Sequence, residues 1–185
     1  MIEARDLVCP ILTKRLRLAP VTTGDADALF ALLSDRDTVG SACDVHVRPE
    51  QSLRLARALS DAHAARAWFV GSDRDPALGL VSVHDVEGAC GQLAFMIAGA
   101  HRRRGYAREA VDAVIGYCTG LWRLQRLEAT TARSNLASRA LLARAGFEVV
   151  RSGADEELFS RRLAIHRTAD VARRSPICSE GSGAC

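Results

Sequence analysis

The stretch that most constrains this chain runs from Ala94 to Val111. Ala94-Phe95-Met96-Ile97 reads as a buried strand, His101-Arg102-Arg103-Arg104-Gly105-Tyr106-Ala107 as a short basic turn, and the residues that follow as a long helix ending near Gly120. The helix rests on Ala110, Val111, Val114, Ile115 and Cys118, which recur at the three-and-four spacing of one apolar face. A strand that turns directly into a helix leaves the first helical N–H groups without acceptors and the positive end of the helix dipole behind them. Gly105 and Ala107 stand where a larger side chain would keep a ligand off that backbone, and Arg102, Arg103 and Arg104 surround it with charge. The combination suits a phosphate or pyrophosphate.

The rest of the chain supplies a frame for this turn. Arg15 to Val21 alternates charged and apolar residues, the period of a half-buried strand. Thr22 and Thr23 can cap a helix that carries Ala28, Leu29, Leu32 and Leu33 inward. Asp35 to Val47 reads as loop, and Pro49 opens a second helix running towards His63. Strands follow at Trp68–Val70, Leu78–Asp85 and Gln92–Ile97, with a bend at Glu87-Gly88. Beyond the long helix come a strand at Leu127–Thr131, a helix from Asn135 to Ala145 stopped by Gly146, and closing strands at Phe147–Val150 and Glu157–Ser160. The expected class is α/β, a mixed α+β sheet in the order β-α-α-β-β-β-α-β-α-β-β. Residues 1–14 read as a lead-in, 15–166 as one domain and 167–185 as a mobile, Ser- and Gly-rich tail.

The turn fits the pattern Arg/Gln-x-x-Gly-x-Gly/Ala through Arg102, Gly105 and Ala107. It resembles the acyl-coenzyme A pyrophosphate loop of the GNAT superfamily of N-acetyltransferases. Asn135-Leu136-Ala137-Ser138, followed by Gly146-Phe147, resembles the family's Asn-x-x-Ser/Ala…Gly-Phe segment. Near the start, Thr13-Lys14-Arg15-Leu16-Arg17-Leu18-Ala19-Pro20 resembles the branch that acetylates ribosomal-protein N-termini, together with its small-molecule relatives. The resemblance implies the GNAT-type acyl-CoA N-acyltransferase fold, with acetyl-CoA as the acetyl donor.

It also implies residue roles. Arg102, Arg103, Arg104, Gly105, Tyr106 and Ala107 would hold the pyrophosphate. Met96 and Ile97 would bind the pantetheine arm through their main chain, as an added strand does. Asn135 would hold that arm with its side chain, and Ser138 would face the sulfur; Asn135 also reads as a helix cap. Many relatives carry a general-acid Tyr seven residues after the Asn, where this chain has Leu142, so protonation of the thiolate falls to Ser138, an ordered water or Tyr106. Glu128, Asp85 and His84 are the candidate bases, and Glu128, beside the expected splay, could relay through water.

The implied reaction is acetyl transfer to a primary amine by direct attack on the thioester. An α-amine has a pKa of about 7.7–8.0 and a lysine side chain about 10.4. Near pH 7.5 roughly a third of the first but only about a thousandth of the second is neutral, a difference of about 3–4 kcal/mol. With no strong base in the sequence, a protein N-terminus or a low-pKa small-molecule amine is the expected acceptor. The alternative is an acyl-CoA sensor of the same fold that binds without turnover.

A net charge of +3 and 5% aromatic residues do not support a nucleic-acid platform, which needs clustered basic residues interleaved with aromatics. No apolar run reaches the length of a bilayer span, and no secretory leader is expected. The six cysteines form no C-x-x-C pair and no metal site is expected. The expected compartment is the cytoplasm, and the resemblance allows a homodimer.

Overall fold

The computed structural model describes residues 9–39, 45–60 and 65–164. Gly40, Cys43, His63, the first eight lead-in residues and the tail 167–185 lie outside the described residues. Eight strands form one sheet: β1 (Ile11–Leu12), β2 (Arg17–Pro20), β3 (Arg66–Gly71), β4 (Gly79–Glu87), β5 (Cys90–Ile97), β6 (Arg126–Ala132), β7 (Glu148–Ser152) and β8 (Glu156–Arg162). Their spatial order is β1-β2-β3-β4-β5-β6-β8-β7. Every neighbouring pair is antiparallel except β5 and β6. A parallel pair needs a crossover, and the helix α4 (Tyr106–Gly120) provides it.

Side chains alternate across the sheet and build a core on each face. On one face Trp68, Val70, Val81, Val83, Leu93 and Leu127 pack against Val111, Val114, Ile115 and Cys118 of α4, joined by Leu142 of α5 (Leu136–Arg144). On the other, Ala67, Phe69 and Leu80 meet α1 (Ala26–Leu33), α2 (Arg36–Val39) and α3 (Pro49–Leu59) through Leu29, Leu32, Leu33, Val39, Ala56 and Leu59. Each fully buried Leu or Val contributes about 1.5–3 kcal/mol, so neither face can be left bare. The interior strand β3 is buried at all six positions, including Arg66. The Arg66 guanidinium lies 4.1 Å over the Trp122 ring and donates to Tyr117 Oη at 2.8 Å.

The expected order of elements appears, with two additions. The lead-in contributes β1, whose Ile11 is buried and pairs with Leu18; two residues are too short to show a period. The expected loop after α1 contains α2, nucleated by Asp35, whose carboxylate accepts the N–H groups of Asp37 and Thr38, each at 3.2 Å. At the chain's other end, Phe147 is a buried residue before β7 rather than the first residue of the strand.

Candidate active site

Strands β5 and β6 are in register only at Cys90–Arg126, Gly91–Leu127 and Gln92–Glu128. Both run on, β5 to Ile97 and β6 to Ala132, without pairing to each other. They therefore part beyond Glu128 and enclose a wedge. At about 3.3 Å per residue, the four steps from Glu128 to Ala132 make it about 13 Å long. The outer side of β5 stays paired to β4 as far as Ile97, and that of β6 to β8 as far as Ala132. The peptide groups that face the wedge make no bond across it, and at its far end the Ile97 carbonyl accepts from the Arg102 side chain. Both strands end at the open side, where β5 leads to α4 and β6 to α5. A helix thus follows the carboxyl end of each strand of a parallel pair, the arrangement of a recurrent ligand crevice.

At the first helix, Gly105 is the N-cap with φ +79° and ψ 4°, in the left-handed region. A Cβ placed there meets nothing closer than Arg15 Nη2, at 3.4 Å. Glycine is needed at this position for backbone rotation, and crowding plays little part. Tyr106, Ala107 and Arg108 open the helix, and the side chains of Arg103 and Arg104 are exposed.

Arg102 behaves differently from its two neighbours. Its Nε donates to the Ile97 carbonyl at 3.0 Å, and its Nη2 donates to the carbonyls of Asp37 and Thr38, the latter at 2.8 Å. The guanidinium caps the C-terminus of α2, where orphan carbonyls and the negative end of a dipole favour a cation. Thr38 Oγ1 adds a bond by accepting the N–H of Gly99 at 3.1 Å.

The cation bonded into the turn is Arg15, which sequence reasoning missed. Its Nη1 donates to the Arg104 carbonyl at 3.1 Å, its Nε donates to Glu109 Oε2 at 2.7 Å, and its guanidinium lies 5.1 Å over the Tyr106 ring. Thr13 Oγ1 and the Arg15 N–H bind the other oxygen of Glu109, at 2.6 and 3.0 Å. Burial pushes the Glu109 pKa up, but the Thr13 and Arg15 bonds outweigh it and hold the carboxyl below its usual range. The partners are 94 residues apart, so no local pattern signals the contact.

A cleft of about 670 Å³ opens at the vertex of the wedge. The register aligns His84, Gln92 and Glu128 in one row across β4, β5 and β6, so their side chains share a face. Glu128 Oε2 accepts from Gln92 Nε2 at 3.1 Å, and Oε1 lies 3.2 Å from Arg126 Nε. Arg126 also donates to Cys90 Sγ at 3.3 Å. An irregularity in β4 puts Asp85 at φ +48° and its carboxylate 3.0 Å from His84 Nδ1. All three base candidates, Glu128, Asp85 and His84, line this one cleft.

On α5, Asn135 Oδ1 accepts the N–H of Ser138 at 3.1 Å, so Asn135 is the helix cap. Ser138 Oγ makes no hydrogen bond among the described residues, and Leu142 is in the core. The helix is held to the sheet by Arg139, whose Nε lies 2.7 Å from the buried Glu157. Among the described residues no group of three His, Cys, Asp or Glu could hold a metal, and no helix is long and apolar enough to cross a membrane.

The family model for the acetyltransferase (GNAT) domain matches residues 15–148. No curated protein matches the sequence. Among solved structures, a GNAT-family acetyltransferase from Bacillus anthracis aligns with TM-score 0.73 at 18% identity, covering 83% of this chain and 98% of that one. A spermidine N-acetyltransferase from Vibrio cholerae, in complex with CoA and spermine, aligns with TM-score 0.74 at 17% identity over 83% and 98%. A ribosomal-protein alpha-N-acetyltransferase in complex with coenzyme A aligns with TM-score 0.71 at 14% identity, again over 83% and 98%.

Proposed function

Because the chain belongs to the acetyltransferase (GNAT) domain family and is an acetyl-CoA-dependent N-acetyltransferase, we propose that its acceptor is a low-pKa primary amine, either a protein N-terminal α-amine or a small-molecule amine. The choice of acceptor rests on amine acidity, and the observation that carries the site of amine deprotonation is the position of Glu128. It stands at the last paired step before β5 and β6 part, with its carboxylate in the polar cleft at the vertex.

The residues present fit the donor. The opening N–H groups of α4, with Arg103, Arg104, Gly105, Tyr106 and Ala107, suit a pyrophosphate. The edge of β5 at Met96 and Ile97, which pairs with no strand on the wedge side, suits the amides of the pantetheine arm, although the Ile97 carbonyl already accepts from Arg102. Asn135 keeps its side-chain NH₂ group for the same arm while its oxygen caps α5. Arg102 serves this site through the shape of the turn and its main chain.

In the reaction the amine nitrogen bonds to the acetyl carbon and the carbon–sulfur bond breaks. Glu128 takes the amine proton through a water; the departing thiolate takes a proton from Ser138, whose hydroxyl regains one from solvent as Glu128 returns its own to solvent. Tyr106 lies under Arg15 at the phosphate end, which favours Ser138 for that role. The same reading gives one domain over residues 15–166, to whose sheet the lead-in adds β1, in the cytoplasm, as a monomer or a homodimer.

Glu128→Gln tests the assignment, because the amide preserves the Gln92 contact and removes the base. The rate should fall most for high-pKa amines and least for α-amines, since each unit of amine pKa costs about 1.4 kcal/mol to deprotonate. The pH–rate profile should lose its acidic limb. Unaltered rates across amines of different pKa would make Glu128 an ordinary strand residue.

A further inference from the structure

Glu109 places a carboxylate where the site's ligand carries its own negative charge. It lies in the first turn of α4, where the helix dipole favours an anion. A phosphate at the Gly105 turn draws on the same field, so the two anions oppose each other. Glu109 is nevertheless useful to the fold, because it ties Thr13 and the Arg15 main chain to the helix.

Arg15 resolves this conflict. Its Nε and Nη2 both lie 2.7 Å from Glu109 Oε2, while Nη1 reaches the Arg104 carbonyl on the other side of Gly105. The Arg15 side chain is 47% exposed and that of Glu109 20%, so the cation forms the outer layer and the carboxylate the inner one. The arginine that opens the turn motif, Arg102, has its guanidinium against α2 and the Ile97 carbonyl. Neutralising Glu109 falls to Arg15, the charged side chain bonded to it among the described residues.

We propose that Arg15 is a positioning residue of the coenzyme turn: it cancels Glu109 and leaves the N-terminal field of α4 to the phosphates of coenzyme A. The proposal rests on the assignment of that turn to the coenzyme.

Calorimetry on the full chain tests it, with coenzyme A as the ligand and pantetheine, which lacks the pyrophosphate and nucleotide, as competitor. The proteins are wild type, Arg15→Gln, Glu109→Gln and the double variant, each checked by its melting temperature. Arg15→Gln should weaken coenzyme A binding roughly tenfold, the scale of one nearby charge left uncancelled. The inhibition constant of pantetheine should be the same in all four. The double variant should return to within about twofold of wild type, a restoration that a purely mechanical clamp would not give. Should Arg15→Gln fold poorly, Arg15→Lys keeps the charge and should bind close to wild type. A double variant as weak as Arg15→Gln, an Arg15→Gln protein that binds like wild type, or an Arg15→Lys protein as weak as Arg15→Gln overturns the proposal. Failure of the wild type to bind coenzyme A would instead remove the assignment of the turn.

Discussion

Replacing Gly105 with Ala, Asn and Val separates backbone strain from crowding at the phosphate turn. The backbone there sits at φ +79°, and an added Cβ meets only the tip of Arg15, at 3.4 Å. Arg15 is flexible and can move by a few tenths of an ångström, so space adds little cost. The left-handed conformation itself costs an L-residue about 1–2 kcal/mol. Alanine regains about 0.4–1 kcal/mol by restricting the unfolded chain, which leaves a net loss of about 1 kcal/mol. For a protein of this size that is a melting-temperature drop of about 2–4 °C. Asn, which tolerates the left-handed region, should lose less than Ala, and β-branched Val more. Thermal unfolding followed by circular dichroism gives the ranking, and calorimetry with coenzyme A should place affinity in the same order as the turn relaxes. An Ala variant that melts with the wild type, or an Asn variant as damaged as Val, would refute the argument from backbone rotation.

Other positions offer independent checks. Arg102→Gln removes hydrogen bonds from a charged donor to three carbonyls, so it should lower stability by about 1.5–3 kcal/mol by chemical denaturation while leaving the salt dependence of coenzyme A affinity unchanged. Asn135→Ala should cost about 1 kcal/mol as a lost cap and also raise the KM for acetyl-CoA, whereas Ser138→Ala should lower kcat with KM little changed. Burial pushes the Cys118 thiol up to about 12, so maleimide labelling at pH 8 followed by peptide mass mapping should find Cys90 modified and Cys118 protected until unfolding. Glu109 is held below its ordinary value of 4.5, with burial opposing and the Thr13 and Arg15 bonds prevailing; Asp35 is held below 3.8, chiefly by the Thr38 hydroxyl. Lowered folded-state values stabilise the protein above the unfolded values and lose that stabilisation as pH falls through the folded ones. Stability should therefore decline below about pH 4, less steeply in Glu109→Gln.

Much of this architecture was legible because its signals are local. The face of α4 from Ala110 to Cys118, the alternation at the start of β2, Pro49 at the head of α3 and Gly146 after α5 each act within a few residues. The elements that escaped are those without a period: β1 has two residues and α2 has four. Site residues divide the same way. Asn135 as a cap is written in its neighbours, and the Gly105 turn in its own pattern. The clustering of Glu128, Asp85 and His84 depends on the register of three strands, and the Arg15–Glu109 pair joins segments 94 residues apart. The motif predicts charge at Arg102 but not its direction, because two of the three carbonyls it meets belong to α2, which the sequence does not announce.

The central claim is acetyl transfer from acetyl-CoA to an amine at the vertex of the β5–β6 wedge. Its most direct test is free thiol release from acetyl-CoA across a panel of peptide N-termini, lysine side-chain analogues and small amines, with the amine product identified by mass spectrometry. The proposed function predicts one thiol released for each acetylated amine, fastest on amines of low pKa, with Glu128 mattering most for amines of high pKa. Tight binding of acetyl-CoA with neither thiol release nor acetylation of any amine would contradict it and leave the fold a sensor of its own coenzyme.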